Sequence, residues 1–374
     1  MKSILIIHPA LAPYMIDQFN VISQLYNLEV AFLFRNPWYD KFDQSKLLPL
    51  LKFKYSFLLK GPHYKERVFR FKMLNLIRKV DPDIIIGYEY SFTTQYLILL
   101  KSLGLIHQKI GSIIDDSLDI CYHVQTNIRF LARHLSVKRL DYLIVQSSEV
   151  SKFYQNTFNI EDKRIIVSPI LQEPERLRNN RDELEKIGND YLIKYHLKNK
   201  KVLLFVGRLV PVKAVTKFID SIKTILEEQE DLVLVVVGDG EERKNIEALV
   251  KEFKLETKVL MPGRYEGSEL YAWYLCASGL TLPSTYEPFG AVVNESLIFG
   301  TKVFCSKHAG ASILIHSDLG LIFDPLDKNE TIDKIKIFLN LIDTVTEVNI
   351  DRKPCLMSDY KKKLVTEWEK ISQY

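Results

Sequence analysis

Residues 284–300, STYEPFGAVVNESLIFG, hold two glutamates, Glu287 and Glu295, eight positions apart. An apolar run of strand character, Gly279 to Leu282, leads in, and Ala291 to Phe299 carries helical spacing, so the stretch reads as strand, turn and helix start. Pro288 and Gly290 suit such a turn. The first backbone N–H groups of a helix lack intrahelical acceptors and carry partial positive charge, so an anion or a ring of hydroxyls can dock on them. Glu287 falls in the loop and Glu295 about one and a half turns into the helix. Carboxylates only accept hydrogen bonds, so the pair selects hydroxyls or cations. Taken alone, the spacing equally describes a loop acid followed by a solvated helix face.

A second element supplies context. Lys201 to Val206 is an apolar run suited to a parallel sheet buried on both faces, and it leads into Gly207, Arg208 and, one loop later, Lys213. Glycine permits close backbone approach, arginine offers a planar fork for phosphate, and lysine adds a point charge; two cations suit one diphosphate. Gly238-Asp239-Gly240, after the strand-like Leu232 to Val237, has the outline of a phosphate loop. Glu241 and Glu242 follow it at a helix start, where they would repel phosphate, so it reads as a structural turn.

Strand and helix patterns alternate through both halves of the 374 residues, predicting two doubly wound α/β domains, residues 1–172 and 201–357. Between them 173–200 is dense in charge from Glu173 to Lys186 and reads as a linker region, helical in part. Ser3 to Ile7 opens the chain as a buried strand rather than a signal peptide, since Pro9 and Pro13 break the apolar run early. Ile110 to Ile114 runs into Asp115, Asp116 and Ser117, and ligands of open parallel sheets lie beyond the carboxyl ends of strands. These acids are therefore candidates for orienting a substrate, although capping the next helix is an equal use for them. His123, a few residues on, is a weaker candidate. Asp81-Pro82-Asp83 has the form of a metal motif, but proline at a strand entrance points to a turn.

Composition excludes several classes. A net charge of +4 argues against a general nucleic-acid binder. Cys121, Cys276, Cys305 and Cys355 show no C-x-x-C spacing, which removes a disulfide framework or zinc site and predicts a reducing, cytoplasmic setting. No apolar run reaches eighteen residues. Charge is concentrated in Lys41 to Lys79, where eleven Lys and Arg stand against Asp43 and Glu66 among Phe and Tyr. The stretch is expected to be an amphipathic helix pair with a solvated basic face, or a surface for an anionic membrane or acceptor.

The G-R-x4-K element and the two glutamates together resemble the GT-B glycosyltransferases, specifically the retaining family 4, well over Lys201 to Phe323 and weakly before it. That resemblance implies two Rossmann-like domains facing a cleft, with 358–374, including a last helix over Asp359 to Gln373, returning to the first domain. It implies a UDP-sugar or GDP-sugar donor bound by Gly207, Arg208 and Lys213 at the diphosphate, Glu295 at the ribose, and Glu287 with the amides of Phe289 and Gly290 at the sugar. Backbone near Arg264 would meet the nucleobase. It implies no metal and no cofactor beyond the donor, and a saccharide or lipid-linked saccharide acceptor on the first domain near Asp115 or Asp116. Two departures stand out: the first loop has Pro9, Pro13 and Tyr14 where the family has glycines, and Ala214 follows Lys213 where glycine is usual. Two other classes fit the same donor elements, a sugar-nucleotide epimerase and a catalytically silent interaction subunit. An epimerase needs acid and base groups around the sugar and no acceptor space, and silence sits poorly with an intact Arg208, Lys213, Glu287 and Glu295.

Overall fold

The computed structural model describes residues 1–37, 41–64, 67–123, 127–355 and 360–373. The chain divides into two units, Met1–Gln172 with Ser358–Tyr374, and Glu173–Met357. The first unit is built on β1 (Ser3–His8), β2 (Asn27–Phe32), β3 (Lys54–Phe57), the short strands β4 (His63–Tyr64) and β5 (Arg67–Val68), then β6 (Ile84–Tyr88), β7 (Lys109–Ile114), β8 (Tyr142–Val145) and β9 (Ile165–Val167). Its seven-stranded parallel sheet runs β3-β2-β1-β6-β7-β8-β9, while β4 and β5 form a separate antiparallel pair. Ile4 to Ile7 and Ile84 to Ile86 are almost wholly enclosed, as expected for central strands covered on both faces. Asp83 ties the two together where they begin: its carboxylate accepts from the Ser3 amide at 2.6 Å and the Ser3 hydroxyl at 2.8 Å. Asp81, at φ 43°, ends the helix Met73–Val80 and accepts from Gln108 at 3.1 Å, so both acids of the D-x-D serve the turn.

The helix Tyr360–Gln373 completes this unit. The Trp368 indole donates to Ser168 Oγ at 2.8 Å, the Tyr26 hydroxyl donates to the Trp368 carbonyl at 2.6 Å, and Glu367 accepts from the Val167 amide at 2.9 Å.

The basic stretch differs from the expected helix pair. Its described part forms a short helix, Gln44–Leu47, then β3 as a sheet edge in parallel register with β2, and the antiparallel pair. Pro49, Gly61 and Pro62 interrupt any long helix there, and alternating aromatics favour the extended chain. Tyr64 and Phe71 stay 72% and 57% exposed among these cations. Lys65 and Glu66 lie outside the described residues. Among the described residues no helix is long and apolar enough to cross a membrane.

The second unit carries β10 (Lys201–Val206), β11 (Leu232–Val237), β12 (Val259–Gly263), β13 (Gly279–Leu282), β14 (Lys302–Ser306) and β15 (Gly320–Phe323), all parallel, in the order β12-β11-β10-β13-β14-β15. Residues 173–200 belong to this unit, which corrects the expected linker. The helix Arg181–Lys194 buries Leu184, Tyr191 and Leu192 while its charges face out, and Tyr191 stacks on Trp273 with ring centroids 4.3 Å apart. Charge density marked a half-solvated helix, not a free connection.

Candidate functional site

The order of the second sheet reverses between β10 and β13, which are direct neighbours. Crossovers leave in opposite directions at such a point, opening a crevice beyond the carboxyl ends of the two strands. The loop after β10 carries Gly207, Arg208 and Lys213, and the loop after β13 carries Glu287. Two backbone features hold the first loop. Gly238 at φ 154° lies so close that a Cβ there would stand 1.9 Å from the Gly207 carbonyl oxygen, and the Leu209 amide donates to Asp239 at 2.9 Å. Gly238-Asp239-Gly240 is thus the abutment of the Arg208 loop.

The loops meet. The Thr285 amide donates to the Val212 carbonyl at 2.8 Å, and the Lys213 ammonium pairs with Glu287 Oε2, both side chains mostly buried at 14% and 12% exposure. Ser284 Oγ adds a long contact to the same oxygen at 3.4 Å. Ala214, at φ 53° and ψ 28°, sits in the left-handed region at the start of the helix Val215–Glu228, a conformation that glycine adopts without the steric cost a side chain brings. Gly290 at φ 98° precedes the helix Ala291–Ile298, and a Cβ there would come within 2.8 Å of Leu282. Phe289 anchors the turn from inside, buried at 2%, and its carbonyl accepts from Ala311 at 2.7 Å.

Glu295 points into a different environment from Glu287. It is 7% exposed and accepts from the Tyr274 hydroxyl at 2.6 Å. Burial, reinforced by the neighbouring carboxylate, pushes the Tyr274 phenol well above its usual range, so it remains a donor. The Tyr274 ring packs in the core, yet its hydroxyl positions the carboxylate, a role that apolar periodicity does not signal. Burial also raises the Cys305 thiol, with Glu287 adding to the effect, which leaves it inert. Arg264 pairs with Glu266 at 2.6 Å on a partly exposed surface.

In the first unit the two aspartates separate. Asp115 follows β7 and accepts from the Tyr88 hydroxyl at 3.2 Å and from Gln146 Nε2 at 3.3 Å. Asp116 is sealed in the interior: it pairs with Arg133 at 2.6 Å, both side chains 1% exposed, and accepts from the Tyr154 hydroxyl at 3.0 Å. A carboxylate so enclosed does not reach a substrate, so Asp116 is corrected to a structural residue. The helix Leu118–His123 ends on His123, whose side chain lies outside the described residues. Among the described residues no three His, Cys, Asp or Glu stand close enough together to hold a metal.

These loops can be set beside known proteins. Residues 192–347 match the family model of the glycosyl transferases group 1. The chain is 34% identical over 125 residues to an uncharacterized glycosyltransferase of Methanocaldococcus jannaschii, covering 33% of this chain and 32% of that protein. It is 28% identical over 171 residues to the 2-deoxystreptamine N-acetyl-D-glucosaminyltransferase of Niallia circulans, covering 45% and 43%. Over 162 residues it is 32% identical to a Campylobacter jejuni N-acetylgalactosaminyltransferase acting on a diphospho-undecaprenol saccharide, covering 43% of each chain. The chain therefore spans between a third and a half of the length of these relatives. Among solved structures, Anabaena HepE in complex with UDP superposes with a TM-score of 0.71 at 17% identity over 99% of this chain and 98% of that one. Sucrose-phosphate synthase of Thermosynechococcus elongatus gives 0.70 at 17% identity over 100% and 98%. The two Rossmann-like domains form a GT-B fold.

Proposed function

We propose that this protein is a glycosyltransferase that moves a sugar from a nucleoside diphosphate sugar to an acceptor hydroxyl with retention of anomeric configuration. The observation that carries the reading is the meeting of Lys213 and Glu287 at the point where the second sheet reverses. Arg208 and Lys213 take the diphosphate of a UDP or GDP donor, Glu295 the ribose hydroxyls, and Glu287 with the amides of Phe289 and Gly290 the sugar. With no ligand the Lys213 ammonium is matched by Glu287. An arriving diphosphate competes for that ammonium and turns Glu287 towards hydroxyls, so binding and sugar recognition are coupled. Negative charge developing on the leaving diphosphate falls to the two cations and to the first amides of the helix Ala291–Ile298. The acceptor attacks on the face the diphosphate leaves, and no metal takes part. Asp115 in the first unit orients a saccharide. The name of the Campylobacter relative, which carries a diphospho-undecaprenol saccharide, supports a saccharide or lipid-linked saccharide acceptor in bacterial-type glycan assembly.

The test is nucleoside diphosphate release from a panel of UDP and GDP sugars with wild type and Lys213→Ala. Loss of one preorganised charge should lower turnover by roughly 10² to 10³ in a chain that still folds, with a lower melting temperature because Glu287 loses its partner. Turnover within about threefold of wild type would refute the assignment. Donor isomerisation without transfer would make the protein an epimerase, and nucleotide binding without reaction a silent subunit.

A further inference from the structure

A cavity of about 50 Å³ opens in the first unit where five adjacent strands end. His8 closes β1, Tyr88 closes β6, and Asp115, Gln146 and Ser168 directly follow β7, β8 and β9. This sheet reverses its order between β1 and β6, so the cavity lies at its own switch point, where open α/β sheets bind ligands.

One polar group there is unsatisfied. Gln146 is 8% exposed, its Nε2 donates to Asp115 at 3.3 Å, and its carbonyl Oε1 is buried with no hydrogen-bond partner. Chemistry sets the direction of that amide: Asp115 can only accept, so the NH2 must face it and the carbonyl must face away. A buried carbonyl without a donor is costly and points to a group that supplies one. His8 offers a second acceptor. Its Nδ1 lies 3.1 Å from the Ala10 carbonyl, which fixes the proton on Nδ1 and leaves the lone pair on Nε2. Burial lowers the ring's pKa to about 4, so it is neutral near pH 7.

The cavity thus asks for hydrogen-bond donors. Its one carboxylate already receives Tyr88 and Gln146, which blunts its pull on a cation and favours neutral hydroxyls. A single water needs roughly 10–15 Å³ by this measure, so the space admits the edge of a sugar, not a whole ring. We propose that this cavity is a saccharide subsite of the first unit, taking a hydroxyl or hydroxymethyl group, with Gln146 and Asp115 as its selecting residues. The inference rests on the glycosyltransferase reading, which places Asp115 against a saccharide in this unit, and adds Gln146 to it as a selecting residue.

The experiment is an NMR titration with methyl glycosides of glucose, galactose, glucosamine and N-acetylglucosamine and monodeoxy analogues of glucose, against wild type, Gln146→Met and Asp115→Asn, with UDP titrated in parallel. Wild type should bind at least one glycoside, and loss of one hydroxyl or of the Gln146 amide should weaken it about tenfold, the scale of one hydrogen bond, with UDP affinity unchanged. Equal binding by Gln146→Met and wild type, or no glycoside bound at tens of millimolar, overturns the subsite. Glucosamine bound more tightly than glucose, and lost only in Asp115→Asn, overturns it in favour of a cation site. Should Gln146→Met fail to fold, the deoxy series on wild type decides alone. Failure of UDP to bind would sink the glycosyltransferase reading separately, because its proposed site lies in the other unit.

Discussion

Replacing Asp116 by alanine separates a structural acid from a catalytic one. Arg133 is enclosed with it, its Nη2 2.6 Å from the carboxylate, while its Nε and Nη1 have no hydrogen-bond partner. Removing Asp116 leaves a buried guanidinium without its counter-charge and takes an acceptor from Tyr154, whose hydroxyl also receives Tyr90 at 2.8 Å. Breaking one side of a buried ion pair costs about 3–5 kcal/mol. In a unit of this size each kcal/mol moves the melting temperature by about 2–4 °C, so the transition of the first unit should fall by roughly 6–20 °C. Differential scanning calorimetry with and without UDP is the assay. Nucleotide at about 100 times its dissociation constant adds about 2.7 kcal/mol to the unit that binds it, which labels the second unit's transition. Asp116→Ala with Arg133→Met should recover much of the loss, because no buried charge remains to be compensated. A melting temperature within about 2 °C of wild type, with sugar transfer abolished, would refute the argument and return Asp116 to the reacting centre.

Three further outcomes are expected. Ala214→Gly should raise stability by up to about 1.6 kcal/mol in urea melts, since relief of roughly 1–2 kcal/mol of left-handed backbone matches or exceeds the roughly 0.4–1 kcal/mol of added chain entropy; a lower midpoint would contradict this. His8 has its pKa depressed to about 4 by burial, so the unfolded chain takes up its proton first on acidification. The associated stability is complete above about pH 6.5 and is lost as pH falls towards 4, by up to about 3 kcal/mol, and a His8→Gln variant with the same acid slope would disprove the link. Lys52, Lys54 and Lys60 lie in one stretch with the exposed Tyr55 and Leu59, so the protein should sediment with anionic but not neutral vesicles at low salt. Each such cation contributes about 1 kcal/mol at most, the attraction should fade as the Debye length shortens to about 8 Å at physiological ionic strength, and changing the three to Glu should release the protein; equal recovery with both vesicle types would leave an ordinary solvated face.

Strands that run through the centre of each sheet were legible because burial on both faces demands unbroken apolar runs. Ser3 to Ile7, Lys201 to Val206 and Leu232 to Val237 lie within a residue of where the sequence places them. Edges follow other rules. Lys54–Phe57 is half exposed and pairs on one side alone, so its charge hid its extended conformation behind an expected helix. The segment holding the helix Arg181–Lys194 was expected to be partly helical, but its attachment to the second unit was hidden for the opposite reason: most of its surface is solvated, and the few residues that bind it there, Leu184, Tyr191 and Leu192, are diluted among charges.

Site residues divide along the same physical line. Lys213 and Glu287 were expected at one donor site through the family resemblance, and their direct pairing follows from the sheet: each lies in a loop right after a buried strand, and two such strands that are neighbours at a switch point bring their loops together. Asp115 could be placed at a strand end by the same reasoning, but its partners could not. Tyr88 and Gln146 each come from a separate strand end, and which ends adjoin depends on the order β1-β6-β7-β8-β9, a property of helix packing over the sheet rather than of any local pattern. Tyr274 was concealed by its own ring, since its burial in the core is real and only the hydroxyl at its tip acts on Glu295. An aromatic that packs at one end and donates at the other satisfies two demands with one residue. The carboxylates carry a recognisable spacing, whereas the groups that aim them are dispersed along the chain and become visible once the sheets have assembled them.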